Sequence, residues 1–151
     1  MRGIELLARR EALGLSKPSM AETLNVRPQN LDRWEHGKNP PRSWDWIEEA
    51  LTSMEDYQDQ LIEKMVASVL ELVEQGSEPL IMSYATSRSF YSWMPQAEDV
   101  SLGEGEDALR GIPVDLHRAA AAQAVRRLRR EHQIDAAIEA VPASAAPDFT
   151  P

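Results

Sequence analysis

The first 42 residues contain three short stretches in which apolar positions recur every three or four residues. This spacing predicts helices, because residues three or four apart share one face of an α-helix. Gly14, Asn25 and the Pro40-Pro41 pair stand where the three helices should end, since Gly and Asn tolerate the left-handed conformation and proline cannot continue a helix. On the first helix, the predicted apolar face consists of Ile4, Leu7, Ala8 and Leu13. The amino-terminal part is therefore expected to be a small helical bundle.

Two further helical patterns follow, and Ser43 is a candidate cap for the first of them. The first extends through Leu51 and would complete the amino-terminal core, and the second covers about Met54 to Gln75. The second has two rows of apolar residues, so its apolar face is broad and must pack against more than one neighbour. That neighbour is either another part of the same chain or a second copy of it.

Residues 79–84, with the sequence Pro-Leu-Ile-Met-Ser-Tyr, predict one short strand. A single strand is not stable alone, and a two-fold-related copy of itself is an economical partner. A short aromatic helix with Thr86 or Ser87 as its cap follows, and residues 95–111 are expected to form an acidic loop. One Ala- and Arg-rich helix, capped by Asp115, then covers residues 113 to about 140.

These elements predict a mainly α-helical protein in three parts. Residues 1–53 are expected to form a helical bundle, and residues 54–140 a helical region with one short strand. Residues 141–151 are expected to be a disordered tail, because their three prolines stand among small residues that offer little apolar surface to bury.

The charge of the chain is unevenly distributed. The net charge is −9, but residues 1–43 carry +3, residues 44–107 carry −13 and residues 108–151 carry +1. The amino-terminal part therefore suits an anionic partner, because the local field decides where a phosphate backbone can dock. The acidic middle would instead suit a basic protein partner.

Several classes of function find no support in the sequence. There is no Cys, so disulfides, thiolate metal sites and cysteine nucleophiles are excluded. His36, His117 and His132 lack the spacing of metal ligands, and no catalytic nucleophile motif occurs, so we expect no enzyme, no metal and no cofactor. The charged first ten residues do not fit a signal peptide, and no apolar run could span a bilayer. We therefore expect a cytoplasmic protein without membrane contact.

Residues 16–36 have the order of a helix, a tight turn and a second helix, which is the arrangement that inserts a helix into the major groove of DNA. The outer face of the second helix carries Arg27, Gln29, Asn30, Asp32 and Arg33. Gln and Asn can form paired hydrogen bonds to adenine, and Arg can do so to guanine. We therefore predict base contacts by Arg27, Gln29, Asn30 and Arg33, and we expect Asp32 to orient a neighbouring Arg. A solvated helix face is the alternative.

The same stretch resembles the helix-turn-helix of the Cro and lambda-repressor family, also called the XRE type. The matching residues are Leu13-Gly14-Leu15, Ala21, Leu24, Val26, Leu31, Trp34-Glu35, Gly37-Lys38 and Pro41, with Arg10 ahead of them. This chain departs from the family pattern at Asn25, where Gly is usual, at Lys17, where Gln is frequent, and at Pro28.

The resemblance implies sequence-specific binding to double-stranded DNA by a homodimeric transcriptional repressor. It also implies a structural pair between Arg10 and Glu35. Phosphate contacts are expected from residues that flank the two helices, which are Ser16, Lys17, His36, Lys38 and Arg42. Lys38 and Arg42 are alternatively ordinary surface charges, and His36 is alternatively a cap of the helix end.

The order of elements after residue 53 is similar to that of small dimeric phage and bacterial autoregulators, such as anti-CRISPR-associated regulators. This similarity implies a dimerisation region. Its predicted contacts are Leu61, Met65, Val69, Ile81, Tyr84, Leu116, Ala121 and Leu128, for which intramolecular packing is the alternative.

A basic cluster on the last helix consists of Arg126, Arg127, Arg129 and Arg130. A solvated face, pairing with the acidic middle and a phosphate contact all remain open for it. The rival function is an antitoxin-like interaction module that binds a basic protein through the acidic middle.

Overall fold

The computed structural model describes residues 1–142, and the fold in this part of the chain is mainly helical, as predicted. In chain order, the elements of these residues are α1 Gly3–Ala12, α2 Lys17–Leu24, α3 Pro28–Glu35, α4 Asp45–Glu74, β1 Leu80–Ser83, α5 Ser87–Trp93, a short 3-10 helix Pro95–Asp99, α6 Val114–His132 and β2 Ala137–Ala140. No helix in this range is long and apolar enough to cross a membrane.

The inner face of α1 differs from the predicted one. Leu6 is fully buried, whereas Ile4 is 63% exposed. The buried positions at and after this helix are Leu6, Arg10 and Leu13, which are spaced like one helix face. Leu13 is buried as predicted, but the pattern also assigned Ile4 and Ala8, which are exposed, because a charged residue, Arg10, stands in the middle of the buried face.

One continuous helix, α4, replaces the two helices predicted on either side of residue 53. Its buried positions are Ile47, Ala50, Leu51, Met54, Gln58, Ile62, Met65, Val66 and Val69. They continue at helical spacing past residue 53, and neither Gly nor Pro interrupts them. The domain boundary placed after residue 53 therefore falls inside α4.

The partner of β1 is β2 of the same chain, and a copy of β1 is not needed for pairing. The two strands are parallel, with Leu80 opposite Ala137 and Ser83 opposite Ala140. The helix predicted for residues 113–140 is wrong in its last part, because α6 ends at His132 and Gln133 turns the chain with a φ of 55°. The short β2 was missed since its sequence, Ala-Ile-Glu-Ala, has little β-branched or aromatic character.

The end of the described chain is tied to this sheet. The backbone N–H of Val141 donates to the carbonyl of Ser83 over 2.8 Å. Residues 143–151, which make up the rest of the predicted tail, lie outside the described residues.

The core has two parts, one around each half of α4. The first half packs with the three amino-terminal helices and with Tyr84, Phe90, Leu102, Ile112 and Leu116. The second half packs with Ile81 and the small, closely fitting face of α6, which carries Ala120, Ala121, Ala124 and Leu128. One long helix therefore links the amino-terminal bundle to the carboxy-terminal elements.

The residues assigned from the sequence to a dimer contact lie in this intramolecular core. Met65, Val69, Ile81, Tyr84, Leu116, Ala121 and Leu128 are each at most 8% exposed. Leu61 is half-buried and packs against both parts of the core. The broad apolar face of α4 is covered by α6 and β1, so the seven buried side chains of this set are closed to a second copy in this fold.

His117 joins α6 to β1 in the interior. It is 3% exposed, its Nδ1 lies 2.9 Å from Ser83 Oγ, and its ring packs against Tyr84 and Phe90. Burial, together with the smaller effect of the charge of Arg118, lowers the pKa of His117 to about 4. The folded protein therefore holds this ring neutral.

Acid should destabilise the fold through His117. Between its ordinary pKa of about 6.5 and its folded value, the unfolded chain binds a proton that the folded chain does not, so stability falls as pH falls through this window. We expect a loss of about 2 kcal/mol from this residue between about pH 7 and pH 5. Urea denaturation at both pH values measures it. A His117→Asn variant lacks this titrating ring, so its free energy of unfolding should fall by about 2 kcal/mol less over the same pH range. Equal losses in the two proteins would show that His117 does not cause the acid destabilisation.

Candidate nucleic-acid interface

The turn between α2 and α3 is built by local hydrogen bonds. Ser16 caps α2 by accepting the N–H of Ser19 at 3.2 Å. Asn25 ends α2 with a φ of 56°, the left-handed conformation for which Gly is common, and the N–H of Val26 then donates to the carbonyl of Ala21. The departure from Gly at position 25 is therefore compatible with the turn, because Asn tolerates this conformation better than most residues.

The predicted pair between Arg10 and Glu35 is confirmed. Arg10 Nε and Nη2 donate to the two carboxylate oxygens of Glu35 at 2.7 and 3.2 Å, and Nη1 donates to the carbonyl of Leu15 at 2.8 Å. Both residues are buried. Gly3 allows the same approach of α1 to α3, since a Cβ there would lie 2.0 Å from the carbonyl oxygen of Trp34. The carboxyl end of α3 is therefore held firmly against α1.

The four predicted base-contacting residues are all exposed, and the structure brings them together at α3. Arg27 is the cap residue of α3, Gln29 and Asn30 lie in its first turn, and Arg33 lies one turn later. Within residues 1–142, none of these side chains forms a hydrogen bond or ion pair with the protein. Their amide and guanidinium groups are thus available to an external partner.

Lys17, which was expected to contact phosphate, is bound to α3 instead. Its Nζ lies 2.5 Å from Asp32 Oδ1, and the charge and hydrogen bond of Lys17 lower the pKa of Asp32. The expectation that Asp32 orients an Arg is therefore wrong, since its partner is Lys17. The pair joins the start of α2 to the outer face of α3 and neutralises the acid among the predicted base-contacting residues.

His36 caps the carboxyl end of α3, which was the alternative to a phosphate contact. Its Nδ1 donates to the carbonyl of Asp32 at 2.7 Å. In the neutral ring, Nε2 then carries no proton and cannot donate to a phosphate. Lys38 and Arg42 are exposed and have no ion-pair partner in the described part of the chain, so they are the predicted phosphate contacts whose charged groups are not engaged there.

Ser16 is also engaged within the protein. Its backbone N–H and the hydroxyl of Ser19 donate to Asp115 Oδ2 at 3.3 and 2.7 Å. Asp115 was expected to cap α6, but the cap position belongs to Pro113, and the carboxylate serves the start of α2. No sequence pattern indicates this contact, because its partners are almost one hundred residues apart.

Two other cations, Arg9 and Arg127, are paired with residues of the acidic middle. Arg9 bonds to Glu55 and Glu48 at 2.5 and 2.7 Å, and these bonds raise its pKa. In the basic cluster of α6, Arg127 pairs with Glu63 of α4, which is the second of the three readings left open for that cluster. The acidic segment thus neutralises these two basic residues, while Arg27 and Arg33 at α3 form no ion pair within residues 1–142.

No protein-family model and no curated protein matches this chain. Among the described residues, no group of three His, Asp or Glu side chains is placed to hold a metal ion.

Proposed function

We propose that this protein is a sequence-specific DNA-binding transcriptional regulator of the helix-turn-helix type, acting in the cytoplasm as a homodimeric repressor. One observation carries the proposal. The outer face of α3 presents four hydrogen-bonding side chains that have no partner within residues 1–142, while the buried Arg10–Glu35 pair holds the helix in place. Polar groups free on a rigid helix suit the reading of base edges.

In the proposed complex, α3 lies in the major groove. Gln29 and Asn30 face adenine, and Arg27 and Arg33 face guanine, as their hydrogen-bonding groups allow. Lys38 and Arg42, beyond the carboxyl end of α3, contact phosphates. Two copies would bind half-sites about one helical turn, roughly 34 Å, apart. Their contact lies outside the buried residues of the intramolecular core.

The decisive experiment is selection of duplexes from a pool of random sequence by the full chain. Enrichment of an inverted repeat, with binding that weakens steeply as salt rises, would support the proposal. The absence of any enriched sequence, together with no salt-dependent binding, would overturn it.

Substitution of Arg33 tests the assignment on α3. The Arg33→Ala variant should lose about 1–3 kcal/mol of binding free energy and lose its preference at one base pair of the selected site. Fluorescence anisotropy on the selected duplex and on single-base variants measures both effects.

Lys38→Ala is the matched control, because it also removes one exposed cation. It should weaken binding to all duplexes alike and lower the slope of log affinity against log salt by about one unit. If Arg33→Ala keeps full discrimination between bases, Arg33 does not contact the bases.

One observation favours a second candidate, a module that binds a basic protein. Five exposed acidic residues stand within ten positions of the chain, at Glu98, Asp99, Glu104, Glu106 and Asp107. Loss of binding to a basic protein partner in a variant that neutralises these residues, with DNA binding unchanged, would show this role to be separate. If the selection from random sequences enriches no duplex, binding of a basic protein becomes the leading candidate function.

A further inference from the structure

A hollow in the surface of α6 is lined by cationic and amide side chains. It has a volume of about 210 Å³, and its lining residues are Gln123, Arg126, Arg127 and Arg130. These positions are spaced three and four apart, so they share one face of the helix. The hollow, called the α6 hollow below, has no residue in common with α3.

Two of the lining side chains are attached to α4. Gln123 Nε2 donates to Gln58 Oε1 at 3.3 Å, and Gln58 is itself buried. Arg127 pairs with Glu63, and the side chain of Arg127 is only 31% exposed. These two contacts hold one side of the α6 hollow in place against α4.

The other two lining side chains are not engaged in this way. Arg126 is exposed and forms no hydrogen bond or ion pair within residues 1–142. Arg130 is 74% exposed, and its ion-pair partner there, Glu131, lies 3.8 Å away, which is beyond hydrogen-bonding distance. Arg126 and Arg130 are four apart on the helix, where like charges repel each other. The hollow keeps a net positive charge even when Glu63 and Glu131 are counted.

The chemistry of this lining suits a phosphate group. The guanidinium of Arg is a planar fork of N–H donors that matches the oxygen atoms of phosphate and is charged at every relevant pH. A phosphate between Arg126 and Arg130 would accept hydrogen bonds from both and would remove their mutual repulsion. A neutral or cationic ligand would leave that repulsion in place.

We propose that the α6 hollow is a phosphate-binding site, in which Arg126 and Arg130 hold the phosphate and Arg127 lies beside them. In a DNA complex, the backbone supplies the phosphate, and this choice of source rests on the proposed function. The contact would then add affinity for every duplex alike, because backbone phosphates carry no sequence information. A free phosphate-bearing compound is the other source of the same chemistry, and its binding would stabilise the folded chain.

The first test adds inorganic phosphate to the full chain and follows the Nε–H signals of arginine in NMR spectra. Phosphate should shift the signals of Arg126 and Arg130, whereas sodium chloride at equal ionic strength should leave them in place. In the Arg126→Gln variant, the shift of the Arg130 signal should fall to the level seen with chloride. Arg129→Gln is the matched control, because Arg129 lies on the same helix but outside the hollow and pairs with Asp135. This control should keep both shifts, and the spectra also report whether each variant is folded.

The second test identifies the source of the phosphate. The wild type and the same two variants are titrated with a mixed-sequence duplex at several salt concentrations, and binding is measured by fluorescence anisotropy. If the DNA backbone occupies the α6 hollow, Arg126→Gln should bind about tenfold more weakly, and its slope of log affinity against log salt should be smaller by about one unit. Arg129→Gln should change the affinity by less than about threefold, because an exposed charge without a phosphate contact is screened.

The outcomes separate this inference from the proposed function. If phosphate and chloride act alike on Arg126 and Arg130, the inference is overturned, and DNA binding by the wild type still supports the proposed function. Phosphate-specific shifts with weaker DNA binding by Arg126→Gln support both. Phosphate-specific shifts without any effect of Arg126→Gln on DNA binding support the site and assign it to a free phosphate-bearing compound, and this holds even if the wild type binds no duplex and the proposed function fails.

Discussion

Glu35→Ala is expected to lower the free energy of unfolding by about 3–5 kcal/mol, because it leaves the buried guanidinium of Arg10 without its counter-charge. Arg10 Nε and Nη2 both donate to Glu35, and the pair joins α1 to α3 in the interior. A loss of this size is a large part of the stability of a typical domain. Urea denaturation followed by circular dichroism measures it.

Two further variants isolate the cause of this loss. The Arg10→Met, Glu35→Leu double variant removes both charges, so it should be clearly more stable than Glu35→Ala alone. Asp135→Asn breaks the exposed Arg129–Asp135 pair and should change stability by less than about 1 kcal/mol. A Glu35→Ala protein within about 1 kcal/mol of the wild type would show that Arg10 finds water or another partner when Glu35 is removed.

Gly14→Ala is expected to cost about 2–5 kcal/mol, from two separate causes. Gly14 has a φ of +79°, where a residue with a Cβ is strained by about 1–2 kcal/mol. Its added Cβ would also meet Ala119 Cβ at 2.4 Å, and overpacking of this kind costs about 1–3 kcal/mol. The melting temperature and urea midpoint of the variant report the sum.

Gly37→Ala is the matched control, since Gly37 has a φ of +74° and no atom within 4 Å of the position of the added Cβ. The Gly37→Ala variant should lose only the stability that the positive φ costs, about 1–2 kcal/mol, without the cost of overpacking. Ala119→Gly should cost less in the Gly14→Ala background than in the wild type, because it removes the overlapping methyl group. Equal costs for Gly14→Ala and Gly37→Ala would mean that α6 moves away freely from the turn between α1 and α2.

The parts of the fold that the sequence predicted well are those with strong local patterns. The amino-terminal helices, Gly14 as a stop and the position of β1 follow from residues that are close in the chain. The Arg10–Glu35 pair came from the resemblance to a known motif, and the structure places it as expected. The exposed set on α3 follows from helical spacing around the buried Leu31.

The errors arose where a distant partner decides the outcome. Lys17 and Ser16 look free in the sequence, but Asp32 and Asp115 bind them in the fold. The dimer residues were chosen as an apolar set that needs cover, and the spacing could not tell whether α6 or a second chain supplies it. The face of α1 was misjudged because a buried ion pair makes a charged residue part of the interior.

By itself, the sequence determined that the chain is mainly helical, that residues 16–36 hold two helices around a tight turn, and that α3 has a polar outer face. These are properties of local spacing, capping and turn chemistry, which act over a few residues. The tertiary structure alone decided which strand pairs with β1, what covers α4, and that Asp115 stands at the start of α2. Those outcomes depend on charges and surfaces that meet only when segments far apart in the chain pack together.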